Sequence, residues 1–491
     1  MHPRRRPAIA LSLSLVAALG VACQAGDPKP APPVQPQATS GAPATPSPSP
    51  SISDQPIAAT QSSAGDPYVP GDGNGGYDVL HYDLKLKIIP ADEAKTLDGV
   101  VTIRAKATTD LLRFNLDLTG LRVSAVQVDG KKAKFTRDGS ELVITPPASL
   151  PAGGQFTVAV AYAGTPKAIV DPILGRYGWI KTPDGITAAC QPSGAHTWFP
   201  SNDHPSDKAT FDITLTVPQD LSALSNGEAG PSVTAGGLTT TRWRMKQPMA
   251  TYLAMVTVGK FKVKQGVTPG GIPITTAVDT TIASPSIEEF HEAKAKITDE
   301  WVKLFGPYPF DSTGGVIDNA DVGFALETQS RTIYGQFDPG EEIIAHELAH
   351  QWFGDSVSVT QWRDIWLNEG FATFAEWTWA ERRGRGTVKQ QFDSLYAQAD
   401  SPNWRTLPGD PGRSKLFDTF AVYNRGAMAL YALEQKIGRT EFYDLLRTWA
   451  REHRYANATT ADFVALASKV AGTDLDPFFR AWLYGNTRPE L

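Results

Sequence analysis

The period of hydrophobicity changes once along this chain, and the change restricts what it can fold into. From His81 to about Lys262, apolar residues recur at every second position. Leu84, Leu86 and Ile88 alternate with Asp83, Lys85 and Lys87, and Val101, Ile103 and Ala105 with Thr102, Arg104 and Lys106. Phe156, Val158, Val160 and Tyr162 repeat the pattern, as do Phe211, Ile213, Leu215 and Val217. A period of two puts one face of a strand on a core and the other in water. Asp129-Gly130 and Asp138-Gly139 supply turn signals between runs. After about Pro285 the pattern becomes helical. SIEEFHEAKAKITDEWVKLFG reads as a helix closed by Gly306 and Pro307, and TADFVALASKVAG and DLDPFFRAWLYG read as amphipathic helices near the end. The expectation is a β-rich region followed by an α-rich one, with no internal repeat.

The 491 residues, 41% hydrophobic with 12 Trp, suffice for two or three packed domains. The net charge is −6 and no basic tract lies outside the first six residues, which argues against nucleic acid as a partner. Residues 1–23 have the form of an export signal. Arg4, Arg5 and Arg6 precede an apolar run of about fifteen residues, too short to span a bilayer comfortably. The run ends in LGVAC, which resembles a bacterial lipoprotein signal with cleavage before Cys23 and a lipid on its sulfur, although Gly20 stands where a larger aliphatic is usual. An ordinary secretory signal with an incidental cysteine is the other reading. Residues 24–66 are mostly Pro, Ala, Ser, Thr, Gln and Gly, and read as a disordered tether. The expected location is the outer face of a bacterial cell membrane, through a lipid anchor, or otherwise secretion. The other cysteine is Cys190, so no disulfide is expected, and as a nucleophile it has only His196 near it in sequence. His81, His196 and His204 carry no motif and read as surface or loop histidines.

Between Ile344 and Glu376 runs IAHELAHQWFGDSVSVTQWRDIWLNEGFATFAE. His346 and His350 are four apart, so on a helix their imidazoles share a face, offset by about 40°. Glu347 flanks that face. Two imidazoles and one carboxylate would fill three positions of a tetrahedral zinc and leave the fourth for water, as in a catalytic site. Glu347 is then placed to take the water's proton and pass it on. A bare HExxH also arises by chance on surface helices. Asp364, Glu369 and Glu376 all lie downstream, and spacing does not choose among them.

HELAHQWFGDSVSVTQWRDIWLNEGFATFAEW resembles, nearly residue for residue, the zinc core of the aminopeptidase N family of gluzincin peptidases, which includes the leukotriene hydrolases. HYDLKLKIIP, LDGVVTIRA, FNLDLTGLRVSAVQVDG and FPSNDHPSDKATFDITLTVP resemble its N-terminal β-domain. LFGPYPFD, NATTADFVALASKVAG and FFRAWLYG resemble its thermolysin-like catalytic domain, so the likeness runs from about Tyr77 to the end. The resemblance implies an α+β multidomain fold: an all-β, saddle-like domain at 67–265 and a mainly α, thermolysin-like domain at 266–491. It implies one zinc per chain on His346, His350 and Glu369, with Glu347 as general base and acid. It implies an aminopeptidase acting on peptides with a free amino terminus.

Four further roles follow from the resemblance, position by position. The segment GFALE matches the family's GAMEN-type stretch, placing Glu327 on the substrate amine and the backbone at Ala325 along the peptide. Leu326 and Thr328 depart from that pattern. AVYNRGAMALYAL resembles the segment with the oxyanion tyrosine, giving Tyr423, with Arg425 where Lys is common. Tyr431, eight residues on, lies near the same helical face and is its rival. AACQPSGAHTWFP resembles the segment that sets a Gln or Glu beside the amine, giving Gln191. Family members usually continue into a helical C-terminal domain, whereas this sequence ends at Leu491, so a more open cleft is expected. A hydrolase of a non-peptide substrate and a non-catalytic binding module on a peptidase fold are the remaining readings.

Overall fold

The computed structural model describes residues 63–491, which belong to one compact unit. The expected signal segment, Cys23 and nearly all of the tether lie outside the described residues. The chain is tied down at Asp66. Asp66 is buried, and its carboxylate accepts from the Trp362 N–H at 2.7 Å. Tyr68, two residues on, bonds Asp410 and accepts from the Gly412 N–H at 2.7 Å. The expected end of the tether at residue 66 therefore falls inside the folded region.

The alternating runs form strands as their period dictates. Tyr77–Ile88 pairs antiparallel with Leu97–Ala107 and parallel with Lys208–Pro218, inside a nine-stranded sheet. Leu84 faces Val101 on one side and Ile213 on the other, and all three are buried. Each such side chain contributes roughly 1.5–3 kcal/mol on leaving water, which pins the register, since a one-residue slip would expose the whole row. A five-stranded sheet contains Gly175–Lys181, Ile186–Ala189 and Val256–Gly259, and a three-stranded one contains Phe114–Asp117 and Glu141–Thr145.

Another five-stranded sheet opens the second half. Its order is Phe261–Val267, Pro273–Asp279, Thr313–Ile317, Thr332–Tyr334, Ala325–Leu326. The expected boundary after residue 265 falls inside its first strand. Phe261–Val267 pairs antiparallel with Pro273–Asp279, so the second sheet begins before that boundary. Eight α-helices lie among the described residues: α1 (Ile287–Phe305), α2 (Gly340–Ala349), α3 (Trp366–Arg382), α4 (Val388–Tyr396), α5 (Gly426–Ile437), α6 (Arg439–Glu452), α7 (Thr460–Ala471) and α8 (Asp476–Tyr484). The order is β-rich first, mainly helical after, as expected. No helix among the described residues is long and apolar enough to cross a membrane.

Helix α1 starts at a capping box, in which Ser286 and Glu289 satisfy each other's backbone N–H, and stops at Gly306 with φ 96°. Its Trp301 is fully buried, donates to the Ala345 carbonyl of α2 at 2.9 Å, and meets Trp379 of α3 edge-on at 5.8 Å. One indole thus sets the spacing of the two helices that carry the HExxH and NEGFA motifs.

Candidate active site

His346 and Glu347 lie in the last turn of α2, with His350 capping its end, and Glu369 lies in the first turn of α3. One carboxylate oxygen, Glu369 Oε2, stands 3.4 Å from His346 Nε2 and 3.4 Å from His350 Nε2. Tetrahedral ligands about 2.0–2.1 Å from a zinc ion stand about 3.3–3.4 Å from one another. The donor set therefore fits zinc in both chemistry and spacing. The outer ring nitrogens are engaged as well: His350 Nδ1 with the Phe353 carbonyl at 3.1 Å, and His346 Nδ1 with Glu376 Oε2 at 3.3 Å. Such partners fix the tautomer that leaves Nε2 free for a metal. The three downstream acids separate here. Glu369 reaches both imidazoles, Glu376 orients one of them from behind, and Asp364 bonds the Thr460 hydroxyl at 2.5 Å.

Burial raises the pKa of Glu347, with the neighbouring imidazoles pulling the other way. Burial likewise raises Glu369, but His350 and His346 outweigh it and hold that carboxyl down to about 2. Ligand atoms of Glu327, Glu347 and His350 lie within 4.8 Å of one another, so a third buried acid enters the same space. Burial pushes Glu327 up to about 7.

Glu327 is placed from two directions. Gln351, next to His350, donates to the Glu327 carbonyl at 3.0 Å and accepts from the Ser330 N–H at 2.7 Å. Gln191, from the β-rich half, donates its side-chain N–H to Glu327 Oε1 at 2.8 Å. That bond leaves the Gln191 carbonyl oxygen for another donor. Ala325 sits in the edge strand of the sheet, opposite Tyr334. The Phe324 carbonyl accepts from Gly335 on the paired side, so the alternation of ladder bonds turns the Ala325 N–H and C=O to the free edge.

Tyr423 lies in a seven-residue π-helical segment, Thr419–Arg425, capped by Asp418. Wide turns of this kind concentrate at functional sites. The Tyr423 ring stacks on His346 at 6.0 Å and 15°. Burial, then the carboxylates of Glu369, Glu327 and Glu347, hold its hydroxyl protonated. Tyr431 is turned away and packs on Phe392 of α4 at 4.9 Å. Gly370, after Glu369, and Gly426, after the π-segment, pack backbone to backbone. A Cβ at either would stand 2.8–2.9 Å from the other's Cα. Sequence reading missed this contact, though both glycines lie in quoted motifs.

Other expectations change. His196 and His204 are buried, not on the surface: His196 Nδ1 lies 2.7 Å from Asp203 Oδ2, and His204 Nε2 3.4 Å from Asp66 Oδ2. Asp66 reaches His204 from far along the chain, and Asp203, seven residues on, folds back onto His196; neither pairing shows in local periodicity. His81 is half-buried against Asp212. Cys190 is fully buried, its thiol pushed up by burial, and it accepts from the Trp198 indole at 3.3 Å. Arg425 is a buried clamp on the carbonyls of Trp404, Thr406, Ala481 and Gly485.

Residues 79–253 match the Peptidase M1 N-terminal domain and residues 329–482 the Peptidase family M1 domain. Aminopeptidase M1 of Arabidopsis thaliana is 27% identical over 445 residues, covering 82% of this chain and 49% of that protein. Glutamyl aminopeptidase of Homo sapiens is 26% identical over 454 residues, covering 82% and 46%. The chain spans about half the length of the curated relatives it matches. The crystal structure of M1 zinc metallopeptidase from Deinococcus radiodurans aligns with a TM-score of 0.81 at 32% identity, covering 87% of this chain and 99% of that one. A mutant form of that protein bound to a Tyr-Ser-Ala substrate aligns with a TM-score of 0.80 at 32% identity, with the same coverage.

Proposed function

Because the chain belongs to the M1 family of zinc metallopeptidases, we propose that it is an aminopeptidase that removes the first residue from peptides with a free amino terminus. The observation that carries this reading is the closeness of Glu327 to Glu347 and His350, whose ligand atoms share a 4.8 Å space. An α-nitrogen stands about 2.5 Å from the carbonyl carbon of its own residue. An ammonium on Glu327 therefore brings the first peptide bond, and no later one, to the reacting groups.

His346, His350 and Glu369 would hold the metal. When bound, zinc supplies Lewis acidity, polarising a carbonyl and making water acidic near neutrality. Glu347 takes the proton of the attacking water and returns it to the leaving amine; its burial suits a group that must both accept and release a proton near neutral pH. The Tyr423 hydroxyl donates to the developing oxyanion, a task for a phenol that stays protonated. Glu327 accepts from the substrate ammonium, with the Gln191 carbonyl oxygen as second acceptor. The free edge at Ala325 aligns the peptide by strand addition.

The test is a panel of aminoacyl amides, each with a free and an N-acetylated amine. Acetylation leaves Glu327 unpaired and should reduce kcat/KM by at least about 10²-fold. Equal cleavage of both forms would remove amine anchoring, and no turnover of any free amine by zinc-loaded protein would favour a binding module. We also propose export with lipid attachment at Cys23, on the strength of the LGVAC segment alone. Mass spectrometry of the mature amino terminus decides it: a diacylated or triacylated cysteine supports it, and an unmodified terminus overturns it.

A further inference from the structure

The turn that carries Gln191 is held by groups with no part in the proposed chemistry. Gly194 N–H donates to the Cys190 carbonyl at 2.6 Å, and the Thr197 hydroxyl to the Gly194 carbonyl at 2.6 Å. The Ser193 hydroxyl donates to Asp72 at 2.5 Å. Gly194 also lies so close to Gly178 that a Cβ there would stand 2.7 Å from the Gly178 Cα. The centre of this arrangement is Asp203. Its buried carboxylate accepts from the His196 backbone N–H at 3.0 Å, from His196 Nδ1 at 2.7 Å and from the Thr251 hydroxyl at 2.7 Å. Its own N–H donates to Asp117 at 2.8 Å.

Two of those contacts lead to the two sides of the site. His196 lies five residues after Gln191 in the same turn. Thr251 opens the turn Thr251–Leu253, whose Tyr252 hydroxyl accepts from Asn368 at 3.4 Å, the residue before Glu369. We propose that Asp203 is a positioning residue for amine recognition: through His196 it fixes the turn from which Gln191 reaches Glu327. The inference rests on the amine-anchoring role proposed above. Burial works against a charged His196, but Asp203 outweighs it and brings the ring up to about 9, so the imidazole stays charged through neutral pH. A buried ion pair with three donors on one carboxylate holds its loop far more firmly than a neutral hydrogen bond. Gln191 makes a single directed bond to Glu327, and slack in its turn would be felt there first.

The experiment is a double-mutant cycle on Gln191→Ala, Asp203→Asn and the pair, assayed with free-amine and N-acetylated aminoacyl amides. Asp203→Asn keeps the shape and removes the charge. Its expected effect is a KM for free amines raised about tenfold, with kcat within about twofold and zinc still at one per chain. The double variant should be no worse than Gln191→Ala, because both act through one contact. Additive effects, a wild-type KM in Asp203→Asn, or a fall in kcat at unchanged KM would each overturn the proposal. Should Asp203→Asn not fold, His196→Gln, which keeps a donor for Asp203, carries the same cycle with the same criteria. A wild-type enzyme indifferent to acetylation strikes down the amine-anchoring reading itself, and the inference falls with it.

Discussion

The site has two halves built in different ways. The metal half comes from one stretch of chain: His346, Glu347 and His350 at the end of α2 and Glu369 at the start of α3, closed by a single buried indole between α1, α2 and α3. The amine half is assembled from distance. Gln191 belongs to the β-rich half, Glu327 follows an edge strand of the second half, and they meet only because both halves pack in one unit. On the proposed reading, the metal half carries the reaction and the amine half selects the bond that is cut. Damage to the first should lower kcat, and damage to the second should raise KM and relax selectivity.

The largest effect expected in the metal half is that of Glu347→Gln. The rate should fall by about 10²–10⁴-fold while the metal stays bound, as elemental analysis of the purified variant can show. Loss of the metal instead would make Glu347 a ligand. Tyr423→Phe should lower kcat by on the order of 10²-fold with little change in KM, while Tyr431→Phe, against α4, should leave kinetics near wild type. An effect at Tyr431 equal to that at Tyr423 would undo the assignment made from the π-helical segment.

In the amine half, Glu327→Ala should reduce kcat/KM for free amines by about 10- to 100-fold and leave acetylated substrates unaffected. A parallel loss on both would mean that Glu327 serves the chemistry and not the choice of bond. Glu376→Gln sharpens the boundary from the other side. It should weaken zinc by about 10- to 100-fold with selectivity intact, since it acts only on the orientation of His346. Competition with a chelator measures it, and unchanged affinity would dismiss the contact as incidental.

The smallest effect concerns stability. Lys294 of α1 is fully buried and donates to the Thr332 hydroxyl at 2.7 Å, and burial brings its ammonium down to about 7. The unfolded chain then binds the extra proton between about pH 7 and 10.5, so this lysine makes stability rise with pH across that window, with its full penalty below it. Lys294→Met should flatten that dependence in denaturant titrations at pH 7 and 9.5. Identical slopes in both proteins would refute it.

How much of this was legible differs between the halves for a physical reason. His346 and His350 declare themselves because helical spacing alone puts their imidazoles on one face, with Glu347 beside it. The choice of Glu369 over Glu376 does not follow from spacing, since both lie near one face of α3; the crossing of α2 and α3 brings Glu369 Oε2 to both imidazoles. Tyr423 and Tyr431 were inseparable under a uniform helical period, and the π-helical segment breaks that period. The buried pair His204–Asp66 has no local signature, because it joins segments that meet only in the folded chain, and His196–Asp203 closes seven residues of irregular loop that no period describes. The strands Thr313–Ile317, Ala325–Leu326 and Thr332–Tyr334 are too short, and the first and last too uniformly buried, to show an alternation amid helical surroundings.

The central claim is that one zinc ion sits between two imidazoles and the Glu369 carboxylate. An anomalous difference map collected at the zinc edge from crystals of the purified protein tests it most directly. The account predicts a single peak within about 2.0–2.2 Å of His346 Nε2, His350 Nε2 and Glu369 Oε2. Zinc-loaded crystals with the peak elsewhere, or with Glu376 as the third ligand in place of Glu369, would contradict it.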